Sequence, residues 1–199
     1  MATNEQKKNI LSIAFLNAGA QYYAIARYCA PFFYAPVSMT MFHHAIEMLM
    51  KGYLIKTHPV STLRNQKTYG HNLDALWTLY KSTIEDESLS RFDKSVSDLN
   101  QVEKLRYPDN MDENGFIVSV SIREPSPLQF SDVENIDDSG MMSCLNFDNK
   151  PQYLINVSNL DKIVLSIFDA CEVNPKQAFK DAPVEFMSNF PPEFKFENE

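Results

Sequence analysis

The sequence predicts an all-α protein, an up-and-down bundle of about five helices with a small β-hairpin or loop insertion before the last helix. Three observations predict it. Apolar residues recur at helical spacings of three and four along most of the chain. Prolines and polar stretches interrupt that pattern where helices would end. Only the region of about 109–157 changes to two-residue alternation. The chain has just 5 glycines in 199 residues, too few for a turn-dense all-β fold or a glycine-rich phosphate loop.

Residues 5–29 carry Leu11, Ala14, Phe15, Ala18, Tyr22, Ile25, Ala26 and Cys29 at helical spacing, so one face is buried. Pro31 and Pro36 bracket a loop. Ser38 reads as the N-cap of a second helix running to about Thr57, with Met39, Phe42, Ile46, Leu49 and Tyr53 as its core face. His43, Glu47 and Lys51 lie four apart on another face. Residues 58–70 read as a loop. A third helix follows with Leu73, Leu76, Trp77, Tyr80 and Ile84 on one side, and a fourth spans about Leu89 to Arg106, closed by Pro108. Phe116–Ile122 and Gln152–Val157 read as the two strands of a hairpin around a polar loop. Ser158 or Asn159 caps the last helix, where Leu160, Ile163, Val164, Ile167, Phe168 and Cys171 keep close register. The bundle therefore occupies 1–172. The tail, 173–199, is rich in proline and phenylalanine, and phenylalanines resist solvation, so it packs on the bundle or on a neighbouring subunit.

Composition excludes several classes. The formal net charge of −8 opposes nonspecific binding to a phosphate backbone, although a local basic patch would still permit it. Cys29, Cys144 and Cys171 are widely spaced and form no CxxC pair, which argues against a zinc knuckle or a dithiol site. No apolar signal core follows the N-terminus, and Asn17, Gln21 and Arg27 break the most apolar region, so no membrane span is expected. The expected location is cytoplasmic. The Asn-Val-Ser sequence at Asn156 matches a glycosylation acceptor but carries no weight without secretion. No motif for NTP hydrolysis, hydride transfer or acyl transfer is present, and no cofactor is called for.

Four segments carry a family resemblance: Ala24-Ile25-Ala26-Arg27, then Phe42-His43-His44-Ala45-Ile46-Glu47-Met48-Leu49-Met50-Lys51-Gly52-Tyr53-Leu54, then Gly70-His71-Asn72-Leu73, and Leu105-Arg106-Tyr107-Pro108-Asp109. Their order resembles HEPN domains over roughly 10–110, and through the last helix to about 172. The resemblance implies a helical bundle that commonly dimerises, often in stress, toxin–antitoxin or phage-defence systems. In catalytic branches it implies metal-independent RNA cleavage by an arginine and a histidine four to six residues further on. Here Arg106 is followed by no histidine at that spacing, so the ribonuclease signature is expected to be absent from the end of the fourth helix.

Two chemistries remain to be weighed at the same residues. Metal-free RNA cleavage needs a base for the ribose hydroxyl and a cation at the phosphate. His43 or His44, with Arg106 and Lys51, would supply them if they converge. The bland alternative is that one histidine packs in the bundle and the other pairs with Glu47. His43 and Glu47 also have the i, i+4 spacing of metal ligands, and His71 or His58 would be needed to complete a site. Nothing in the spacing compels that, so no metal is expected. Glu47 and Lys51 read as a helical ion pair, and Arg106 with Asp109 as a pair at a helix end. Glu47, Lys51, His71, Arg106 and Asp109 are the candidate binding residues. Tyr22, Tyr23 and Trp77 are candidates for stacking bases, or core. The function expected is a noncatalytic HEPN-like module that binds RNA, nucleotide or a partner protein, with a homodimer as its assembly. A diverged ribonuclease using His44 or His43 with Arg106 is the alternative. A structural homodimer whose tail docks a partner is the third reading.

Overall fold

A computed structural model describes residues 3–32, 35–65, 68–103, 117–122, 151–187 and 190–195. Arg106, Asp109 and most of the expected insertion lie outside the described residues. The fold is mostly helical, as predicted. Helix α1 (Asn4–Cys29) starts at a capping box in which Thr3 and Gln6 each accept from the other's backbone. A short 3-10 turn, Ala30–Phe32, links it to α2 (Ala35–Leu54). Pro36 therefore lies in the first turn of α2, where a proline lacks nothing because its N–H would be unpaired anyway. Ser38 is not the N-cap expected; it is buried within the helix.

α1 and α2 form the closest helix pair, and glycine makes their approach possible. A Cβ at Gly19 would stand 2.7 Å from Leu49 Cγ, and one at Gly52 would stand 2.9 Å from Leu16. The Ser12 hydroxyl donates to the Gly52 carbonyl at 2.6 Å across the same contact. Of the core face predicted for α2, Met39, Phe42, Ile46 and Leu49 are buried and Tyr53 is half-buried.

The loop predicted at 58–70 contains one helical turn, α3 (Val60–Leu63). Asn72 then caps α4 (Leu73–Ile84) by accepting from the Ala75 amide. The predicted fourth helix is divided: a 3-10 stretch, Glu87–Phe92, leads into α5 (Asp93–Glu103). Leu73, Leu76, Tyr80, Val96 and Leu99 pack into one core with α2.

Strands β1 (Ile117–Ser121) and β2 (Gln152–Asn156) lie where alternation placed them, but they pair in parallel, Ile117 opposite Gln152. The hairpin expectation is thus corrected, since two-residue periodicity reports a strand and says nothing of the direction of its partner. Asp98 on α5 accepts from the Leu154 amide and fixes β2 against the bundle. Asn156, the last residue of β2, caps α6 (Val157–Ala170) by accepting from the Asn159 amide; Ser158 and Asn159 lie inside the helix. Buried in that role, Asn156 is no glycan acceptor.

The tail packs on the bundle. It forms α7 (Pro175–Ala178), α8 (Val184–Met187) and a 3-10 turn at Pro192–Phe194. Phe179, Phe190 and Phe194 surround Tyr23 with ring centroids 6.1–6.3 Å away. These rings are continuous with the core around Phe42 and Phe168. Among the described residues no helix is long and apolar enough to cross a membrane.

Candidate functional site

Four of the predicted site residues lie on α2, whose 3.6-residue period brings positions 43, 44, 47 and 51 to neighbouring places on one side. His71 reaches the same place from the turn that precedes α4. Glu47 is the centre. Its Oε1 accepts from Lys51 Nζ at 2.6 Å. Its Oε2 faces three imidazoles, with Nδ1 of His71 at 3.0 Å, of His44 at 3.7 Å and of His43 at 3.9 Å. Lys51 also donates to the Gly70 carbonyl at 2.6 Å, tying α2 to the turn that carries His71.

Burial separates these residues. His43, Glu47 and Lys51 are buried, His44 is half-buried, and the His71 side chain is 59% exposed. Burial alone would raise the Glu47 carboxyl, but hydrogen bonds from His44, Lys51 and His71 and the charge of Lys51 outweigh it and hold Glu47 at about 2. Burial lowers His43 to about 4 despite the attraction of Glu47, so its ring is neutral at pH 7. Neither ring nitrogen of His43 makes a hydrogen bond of good geometry among the described residues, although the backbone of His71 comes close enough to favour its protonated form slightly. The Glu47–Lys51 pair is therefore not the weak surface pair that i, i+4 spacing alone implies; it is buried, and each charge depends on the other.

Chemically the cluster has a fixed carboxylate at its centre and its one lysine committed to that carboxylate and a carbonyl. Among the described residues of the cluster, a phosphate approaching the histidines would meet the negative charge of Glu47 rather than an uncommitted cation. The structure thus brings together His43, His44, Glu47, Lys51 and His71; Arg106 and Asp109 fall outside the described residues. Tyr23 and Trp77 are core, with Trp77 Nε1 donating to Asp93, and neither is open to a base. Tyr22 is half-buried with its ring 5.7 Å from that of His44.

Sequence reasoning missed a second polar group. Arg27 on α1 pairs with Asp161 on α6 at 3.1 Å, and both are buried. The Tyr23 hydroxyl donates to the other Asp161 oxygen. Arg27 also lies over the Phe190 ring at 5.3 Å. Burial pushes Asp161 up to about 6, although Arg27 and the Tyr23 hydrogen bond pull it down. The available signal was Arg27 itself, four residues after Tyr23 on the buried face of α1.

The outer face of α1 carries three of the exposed large hydrophobic residues among the described residues. Ile10, Ile13 and Ile25 are 65%, 58% and 40% exposed, and helical spacing places them with Asn17 and Gln21 in one stripe. Beside it lies a cavity of about 750 Å³, bounded by Ile13, Gln21 and Ile25 on α1 and by Phe168, Val173 and Phe186.

Comparison of the chain with protein-family models, with curated proteins and with solved structures finds no match.

Proposed function

We propose that this chain is a noncatalytic HEPN-like module that acts by binding, and that a second copy of itself is the first thing it binds. The observation that carries this reading is the set of exposed isoleucines, Ile10, Ile13 and Ile25, on the outer face of α1. Isolated apolar residues are normal on a surface, but Ile10, Ile13 and Ile25 share one face next to a large cavity. A two-fold dimer would lay this face against its own copy, the arrangement that buries one patch on both subunits with a single self-complementary surface. The resemblance to HEPN domains, which commonly dimerise, points the same way.

The Glu47 cluster supports the noncatalytic half of the reading. A metal-free ribonuclease needs positive charge at the phosphate, and Lys51 already has two acceptors. Among RNA, nucleotide and protein, a protein partner fits best with a net charge of −8. The tail-docking reading is weakened because Phe179, Phe190 and Phe194 are spent in the chain's own core.

Sedimentation equilibrium tests the assembly. Wild type is expected to dimerise, and Ile13→Asp to raise the dissociation constant at least about tenfold while keeping the wild-type circular dichroism. A wild type that stays monomeric at about 100 μM, or a dimer indifferent to Ile13→Asp, would remove α1 as the interface.

A further inference from the structure

We infer that His43, His44 and Glu47 form a binding site for a divalent transition-metal ion of the zinc type, with His71 placed to close it. This goes beyond the dimeric binding module and does not rest on it. The i, i+4 spacing of His43 and Glu47 supplies only two ligands. The helix adds His44 at i, i+3 from Glu47, and the turn before α4 brings in His71.

The geometry is that of a slightly expanded ligand set. One ligand atom from each of His43, His44 and Glu47 lies within 4.8 Å of the other two. Glu47 Oε2 stands 3.9 Å from His43 Nδ1 and 3.7 Å from His44 Nδ1. Zinc bonds of about 2.0–2.1 Å place tetrahedral ligand atoms about 3.3 Å apart, so small side-chain rotations suffice. His71 Nδ1 is hydrogen-bonded to the same oxygen at 3.0 Å, and its exposed side chain would exchange that contact for the fourth position.

A second, independent observation points to a ligand. His43 is fully buried, and neither ring nitrogen has a hydrogen bond of good geometry among the described residues, the His71 backbone being its one weak polar neighbour. Buried polar groups are normally satisfied, and an imidazole lone pair next to a carboxylate and a second imidazole is satisfied by a cation. Lys51 does not block the site, because it holds Oε1 and leaves Oε2 to the histidines. Its charge weakens the site, which places the expected affinity in the micromolar range rather than that of a thiolate zinc site. Imidazole and carboxylate donors select zinc-like ions over calcium or magnesium.

The test is equilibrium dialysis of the full chain with Zn²⁺, beside Co²⁺ titration followed by visible absorption. One equivalent of Zn²⁺ is expected to bind, and Co²⁺ to give an intense tetrahedral-type band without thiolate charge transfer, which separates this site from Cys29, Cys144 and Cys171. His44→Ala is expected to weaken binding more than about tenfold and His71→Ala about tenfold. His71 is exposed, so its substitution leaves the fold intact if the buried positions do not tolerate change. No saturable uptake at about 100 μM Zn²⁺, or uptake unchanged in both variants, would overturn the site.

Discussion

Asp161→Leu is expected to destabilise the protein by about 3–5 kcal/mol, Arg27→Met by less, and the double substitution by little or nothing. The asymmetry follows from protonation. Removing Asp161 leaves the buried guanidinium of Arg27 charged, because arginine does not give up its proton. Removing Arg27 leaves a carboxyl that burial already pushes up to about 6, and it takes a proton while keeping the hydrogen bond from Tyr23. Replacing both charges with apolar groups removes the desolvation cost of each.

The same group sets a pH dependence. The folded-state value of about 6 lies above the ordinary 3.8, so the native state holds the proton more tightly than the unfolded chain. Stability from this group is present below 3.8 and is lost as pH rises through 6. The stability of the double variant relative to wild type should therefore fall by up to about 3 kcal/mol between pH 7 and pH 4. Chemical denaturation of the three variants across this range checks both points. An Arg27→Met cost equal to that of Asp161→Leu would show that Asp161 stays ionised when left alone.

Deleting residues 174–199 is expected to abolish cooperative folding. The tail fills the core with Phe179, Phe190 and Phe194, and removing it bares Tyr23 and Phe168. Each Phe→Ala change at such a site costs about 3–5 kcal/mol, and three together rival the 5–15 kcal/mol that stabilises a typical domain. Phe194→Ala alone, fully buried in the native chain, should lower the melting temperature by roughly 10 °C or more. Thermal melts of both variants decide this. A truncated chain that melts cooperatively within about 5 °C of wild type would show that the tail is an appendage.

Much of the fold was legible because helical periodicity is a local signal. The core faces of α2, α4 and α6 follow from spacing alone. The strand positions were also legible, but their parallel pairing was not, since it depends on where the chain returns. Helix starts were misplaced by a few residues: α2 begins at Ala35, ahead of Ser38, and Asn156 takes the capping role that Ser158 also fits. In the candidate site, His43, His44, Glu47, Lys51 and His71 were named from sequence. What spacing did not reveal is that His71 meets α2 at Glu47 and the Gly70 carbonyl meets it at Lys51, contacts across 24 and 19 residues of chain. Arg27 and Asp161 were missed for the same reason, 134 residues separating an arginine and an aspartate that are each unremarkable alone.

The most direct test of binding without cleavage is an RNA cleavage assay in excess chelator, with wild type beside His44→Ala and Arg106→Ala, on tRNA, rRNA and mRNA substrates. The committed Lys51 and the central carboxylate of Glu47 predict no cleavage by any of the three proteins. Cleavage by wild type that both substitutions abolish would contradict this and establish a metal-independent ribonuclease.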